Sequence, residues 1–85
     1  MVVQIVLCES GGNEYAEGDC DENGKNCKAN GIAQFHERTF YWLAGLANLE
    51  HPNYWSTQDQ LTVLRFALLN GYGKEWSCYR KLNKH

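Results

Sequence analysis

Glu9 is the residue of this chain best placed to do chemistry. It stands in the run Cys8-Glu9-Ser10-Gly11-Gly12-Asn13, beside a cysteine and ahead of a glycine-rich turn. Val2, Ile5, Val6 and Glu9 recur at i, i+3, i+4 and i+7, so they share one helix face. That face is expected to turn toward the core. A carboxylate there is either a paired structural charge or a catalytic acid. Desolvation disfavours the ionised form of a carboxyl group, and a carboxyl that keeps its proton can donate it to a leaving group.

The helix carrying Glu9 is expected over Val2 to Glu9, ending where Gly11-Gly12 permits a left-handed cap. Asn13 to Asn30 is polar and rich in turn residues. Within it, Asn23-Gly24 is a strong hairpin signal. A two-residue turn there sets Glu22 opposite Lys25, Asp21 opposite Asn26 and Cys20 opposite Cys27. The opposed cysteines predict a Cys20–Cys27 disulfide, leaving Cys8 to pair with Cys78. Loop entropy assigns about 2.5 kcal/mol to the short bridge and about 4 kcal/mol to the long one.

Gly31 to Phe35 is a short, mostly apolar run. A second helix is expected over about Glu37 to Ala47, burying Phe40, Leu43, Ala44 and Ala47. Thr57-Gln58-Asp59-Gln60 matches a capping box before Leu61 to Leu69, which is apolar nearly all round and predicts a central buried helix. Asn70-Gly71 ends that helix. Trp76 to Leu82 is a last short helix or turn. The expected class is mainly α, one domain over residues 1–85, with one short disulfide-closed β-hairpin.

The totals set the limits. An 85-residue chain has a marginal core, which covalent staples reinforce. Four cysteines read as two disulfides and an oxidising compartment; their spacing does not suit a zinc site. A net charge of -2 argues against nucleic acid as a partner. Glu9, Glu14, Glu17, Asp19, Asp21 and Glu22 form a stretch without a base, whereas Arg80, Lys81 and Lys84 follow Trp76. That contrast reads as a solvated surface with a dipole. No apolar run is long enough to span a membrane, and no signal peptide is visible. A mature or excised domain is therefore expected, acting as a monomer.

The motifs, in order, resemble one family. Cys8 to Asn13 is similar to the C-E-S-G-G-N start of the resuscitation-promoting factor domain and to the E-S-x-x-N motif of soluble lytic transglycosylases. Gly31-Ile32-Ala33-Gln34-Phe35 with Thr39-Phe40 resembles their G-[LG]-x-Q-F…T-W segment. Ser56 to Leu61 resembles their S-x-x-Q-Q element, and Trp76-Ser77-Cys78 with Leu82 their closing W-x-C…L. The resemblance implies a reduced lysozyme-like fold that cleaves the β-1,4 bond between N-acetylmuramic acid and N-acetylglucosamine in peptidoglycan, with no cofactor. Secretion to the cell wall or periplasm, or delivery by a phage, would follow.

Under that resemblance Glu9 protonates the glycosidic oxygen. It then takes a proton back from the sugar's C6 hydroxyl, as in a lytic transglycosylase, or from water, as in a hydrolase. No second acid lies in an apolar motif, which fits participation of the substrate's own N-acetyl group. Gln34 would bind substrate, or serve as a buried amide satisfying backbone groups. Thr39 would line the cleft or belong only to its helix. Ser10 would orient the turn or Glu9. Tyr15, Tyr41, Trp42, Tyr54, Trp55 and Tyr72 are candidates for stacking on sugars, with Tyr54 and Trp55 the expected cleft wall. His36, His51 and His85 are not spaced as ligands. Leu68 to Tyr72 replaces the family's A-Y-N-x-G segment without its tyrosine. Asp19, Asp21 and Asn23 also match the opening of a calcium loop, although Asn30 stands where its closing glutamate belongs. Two rival readings remain open: a non-catalytic wall-binding or signalling domain on the same fold, and a secreted effector that binds a protein.

Overall fold

The computed structural model describes residues 1–82. Lys84 and His85 lie outside them. The chain runs α1 (Val2–Ser10), β1 (Glu17–Gly18), β2 (Ala29–Asn30), β3 (Phe35–His36), α2 (Glu37–Leu46), α3 (Thr57–Leu69), a 3-10 turn (Gly73–Glu75) and α4 (Ser77–Leu82). It is a small, mainly α domain with a short antiparallel sheet in the order β1-β2-β3.

Helix α1 ends as its glycines require. Gly11 takes φ 66°, ψ 17° and donates its N–H to Leu7 O. Ile5 and Val6 are buried, with Val2 packed beside them and Glu9 half-buried one turn on. The expected face is the observed one. Helix α2 buries Phe40, Leu43 and Ala44 and stops one residue early, so Ala47 is its half-buried cap.

Helix α3 differs from expectation in two ways. Its cap is Ser56, whose hydroxyl accepts from the Asp59 N–H at 3.2 Å, not Thr57. It is also amphipathic rather than buried all round. Gln60, Val63, Leu64 and Ala67 face inward, whereas Leu69 is 75% exposed. The sequence shows only that the run is apolar; α1 and α2 cover one side of it.

Gln60 is freed from capping and becomes the centre of the fold. It is 1% exposed. Its Oε1 accepts from the Ala33 N–H at 3.1 Å, and its Nε2 donates to Asn30 O at 3.0 Å and Tyr54 O at 2.8 Å. One amide thus satisfies three backbone groups, from the end of β2, the turn after it and the loop before α3. Gly31 admits it: at φ +91°, a Cβ there would lie 2.4 Å from the Gln60 Nε2.

Both disulfides form as paired in the sequence, Cys8–Cys78 and Cys20–Cys27. The hairpin register is also the expected one, because Glu17 opposite Asn30 and Gly18 opposite Ala29 place Cys20 opposite Cys27. The tip is a correction. No two-residue turn pairs Glu22 with Lys25. The Asp21 N–H bonds Lys25 O at 2.8 Å, and the Asp21 carboxylate takes the Asn23 and Lys25 N–H groups at 2.9 and 2.8 Å. The ladder itself lies outside the disulfide, where β2 is shared with β3.

One core gathers these elements. Phe35 stands edge-to-face against Phe40 at 5.4 Å and Trp76 at 5.1 Å, and Phe40 meets Tyr54 at 5.6 Å. The Trp76 indole N–H donates to Ala33 O at 2.8 Å, so its one polar group is satisfied as it is buried.

Candidate active site

Glu9 sits on the last turn of α1 and opens into a groove of about 530 Å³. Cys8 is bonded to Cys78, which ties that turn to α4. Glu9 Oε1 in turn accepts from the Cys78 N–H at 3.2 Å and the Ser77 hydroxyl at 3.5 Å. The carboxylate is half-buried, on the helix face expected to turn toward the core.

Gln34 and Thr39 line the same groove. Thr39 comes from the first turn of α2. Gln34 precedes β3 at φ 53°, a left-handed conformation that side chains other than glycine rarely take. Its Nε2 donates to Ala16 O at 2.9 Å and Gly31 O at 3.0 Å. The amide therefore does the structural work expected of a buried one while its side chain borders the groove. Gly18 leaves room for it; a Cβ there would fall 2.2 Å from Gln34 Oε1.

The other expected site residues lie elsewhere. The Ser10 hydroxyl is within 2.7 Å of Ile32 O and 3.0 Å of Val6 O, and it accepts from the Gly12 N–H at 3.2 Å. It locks the end of α1 to the segment before Gln34. Tyr54 is not a cleft wall. It is 1% exposed, its hydroxyl donates to Phe35 O, and it accepts from Asn30 Nδ2 at 3.3 Å. Burial pushes that hydroxyl above the ordinary tyrosine pKa. Trp55 is 68% exposed but borders a second groove, with Tyr15. The aromatic residues beside Glu9 are Phe35 and Trp76, both buried. Tyr41 receives the Tyr54 N–H at 3.4 Å, and Trp42 stacks edge-on against Tyr72 at 5.3 Å.

The groove also holds residues that sequence reasoning did not place there: Asp19, His36, Glu75 and Arg80. His36 Nε2 lies 2.9 Å from Asp19 Oδ2, an ion pair when the imidazole is protonated. His36 is a surface histidine, and Asp19 is its partner. The sheet register brings the pair together: Ala29 lies beside both Gly18 and His36, which sets Asp19 near β3. Arg80 Nη1 donates to Lys74 O at 2.6 Å across the 3-10 turn.

The calcium reading loses its ligand set. Asp19 turns to His36. Both Asp21 oxygens are engaged within the loop, Oδ2 accepting from Asn26 Nδ2 at 2.9 Å. The Lys25 N–H, the Asn26 amide and the Asn23 N–H together hold the Asp21 carboxyl below its ordinary pKa. Among the described residues, no three His, Cys, Asp or Glu side chains gather to hold a metal.

No protein-family model matches the chain, and neither a curated protein nor a solved structure matches it. Its class rests on the fold and the groove: a small, mainly α, doubly disulfide-bonded domain with an acid at the mouth of an open groove. The two disulfides are compatible with an extracellular location. Among the described residues no helix is long and apolar enough to cross a membrane.

Proposed function

We propose that this domain cleaves peptidoglycan at the β-1,4 bond between N-acetylmuramic acid and N-acetylglucosamine, as a lytic transglycosylase or muramidase with Glu9 as its single acid. One observation carries the reading. Glu9, from the first motif of the resemblance, and Gln34 and Thr39, from the second, border one groove. Its volume falls in the range of small-ligand sites. The lysozyme-like architecture and residence outside the cell belong to the same proposal.

In this scheme the Glu9 O–H protonates the glycosidic oxygen as the C1–O bond breaks. A sugar seated in the groove displaces water from the carboxyl and strengthens its interaction with the developing charge. The substrate's N-acetyl oxygen closes on C1, a route that needs no protein nucleophile. Glu9 then takes a proton from water or from the C6 hydroxyl, which attacks C1 and restores the acetamide. Asp19 is engaged by His36, and of the groove's acids Glu9 is the one that stands in a motif of the resemblance. Glu9→Gln tests the assignment. It retains an oxygen to accept the Cys78 N–H and removes the acidic proton, so folding and glycan binding persist and lysis of cell walls stops. Unchanged lysis contradicts the proposal.

A second reading has its own observation. The two donors on Glu9 Oε1 suit a carboxylate that serves to hold α4. A wild-type protein that binds wall glycan and never shortens it would favour a non-catalytic binding domain.

A further inference from the structure

The second groove is separate from Glu9 and of about the same size, roughly 580 Å³. Tyr15 and Trp55 flank it, 81% and 68% exposed. The backbone beneath each ring is held. The Tyr15 N–H donates to Asn13 Oδ1 at 2.9 Å and the Trp55 N–H to Asn53 Oδ1 at 3.0 Å, so each aromatic follows a side-chain-closed turn. The Trp55 ring is further braced edge-to-face on buried Tyr54 at 4.9 Å. Glu14 joins the two sides. It accepts from the Thr57 hydroxyl at 3.3 Å, and its hydrogen bond with the Tyr15 hydroxyl lifts that group above the ordinary tyrosine pKa.

The charge of this groove is one-sided. Glu14 and Glu17 line it, and none of its described lining residues is basic. The Glu9 groove differs, since Arg80 is among its lining residues. Two exposed aromatic faces fit the C–H face of a sugar ring, and also attract a cation. Two carboxylates on the rim complement an ammonium group. We infer that the Tyr15–Trp55 groove is a second glycan subsite, selective for sugars that carry a free ammonium group, the de-N-acetylated form of an amino sugar. The glycan half of this inference rests on the function proposed above. The ammonium half rests on the groove alone.

The test is binding of a glucosamine tetramer and an N-acetylglucosamine tetramer to the Glu9→Gln protein, followed by calorimetry and by amide shifts. The glucosamine tetramer is expected to bind at least about tenfold tighter, to shift amides around Tyr15 and Trp55, and to weaken as salt is raised. Glu17→Gln lowers that preference. Trp55→Ala removes binding with the helical signal retained, because the ring lies outside the core. Tyr15→Ala is the second variant, at the more exposed ring, should loss of the Trp55 ring disturb Tyr54. Equal affinity for the two tetramers overturns the inference. So does binding that survives both aromatic variants, or an equal affinity for a linear polyamine. Failure of the wild type to lyse walls, with glucosamine binding intact, would sink the proposed function and leave this site standing.

Discussion

Cys78 holds Glu9 twice. Its sulfur is bonded to Cys8, the residue before Glu9, and its backbone N–H donates to Glu9 Oε1 at 3.2 Å. The helix end that carries the proposed acid is therefore fixed both covalently and by a hydrogen bond from α4. Ser10 adds a third tie, from the other side of Glu9, to Ile32 O at 2.7 Å.

Reduction should therefore act on activity as well as stability. Replacing Cys8 and Cys78 with alanine is expected to cost about 4 kcal/mol, or somewhat less where native strain intervenes. Replacing Cys20 and Cys27, which close a short surface loop, is expected to cost about 2.5 kcal/mol. Urea melts of the two double variants measure the difference. Equal midpoints would contradict it.

Gln60→Leu is expected to be among the most damaging single changes. The volume is nearly kept, but the Ala33 N–H, Asn30 O and Tyr54 O lose their partner in a buried place. Each such group costs about 1–3 kcal/mol. Gly31→Ala should destabilise through the same amide, by driving it from its seat. Thermal melts of both variants check this, with Gln58→Leu, two residues earlier and exposed, as the control.

Gly18→Ala tests the other close approach. An added Cβ collides with Gln34 Oε1, so the amide must swing away from Ala16 O and Gly31 O. Loss of glycan cleavage by at least about tenfold is expected, equivalent to ~1.4 kcal/mol of barrier, with a smaller loss of stability. Cleavage at the wild-type rate would show that Gln34 does not position substrate.

Two groups should show pH dependence, one in the hairpin loop and one in the core. The Asp21 carboxyl lies below its ordinary pKa of 3.8, because backbone and side-chain donors favour the anion. Its contribution is present above that value and is lost as pH falls through the lowered one. The Asn23 and Lys25 amides should lose hydrogen-exchange protection there. The Tyr54 hydroxyl lies above its ordinary value of 10.0, because burial disfavours the phenolate. Its contribution is present below pH 10.0 and is lost as pH rises through the raised value. Tyr54→Phe should remove that alkaline step and lower stability at neutral pH.

Much of the frame was legible in the chain. Gly11 and Asn70-Gly71 end their helices because the backbone there needs residues that tolerate unusual dihedrals, a local property. The register that opposes Cys20 to Cys27 follows from counting back from a turn, also local. What escaped depends on contacts between distant segments. Tyr54 sits in a polar loop, yet Phe35 O and Asn30 provide the partners that allow it into the core. Gln60 reads as a cap until Ala33 and Asn30 are known to pass above it. The Glu9 groove was visible as motifs, but the Asp19–His36 pair required a third strand, which two residues of Phe35-His36 are too short to announce.

The central claim is that Glu9 breaks a glycosidic bond. Mass analysis of the soluble products from purified peptidoglycan, treated with the wild type and with Glu9→Gln, tests it most directly. Disaccharide-peptides are expected from the wild type alone. A 1,6-anhydro end, lighter by one water than a reducing end, would mean that the sugar returned the proton to Glu9. Release of the same products by Glu9→Gln, or of none by the folded wild type, would contradict the account.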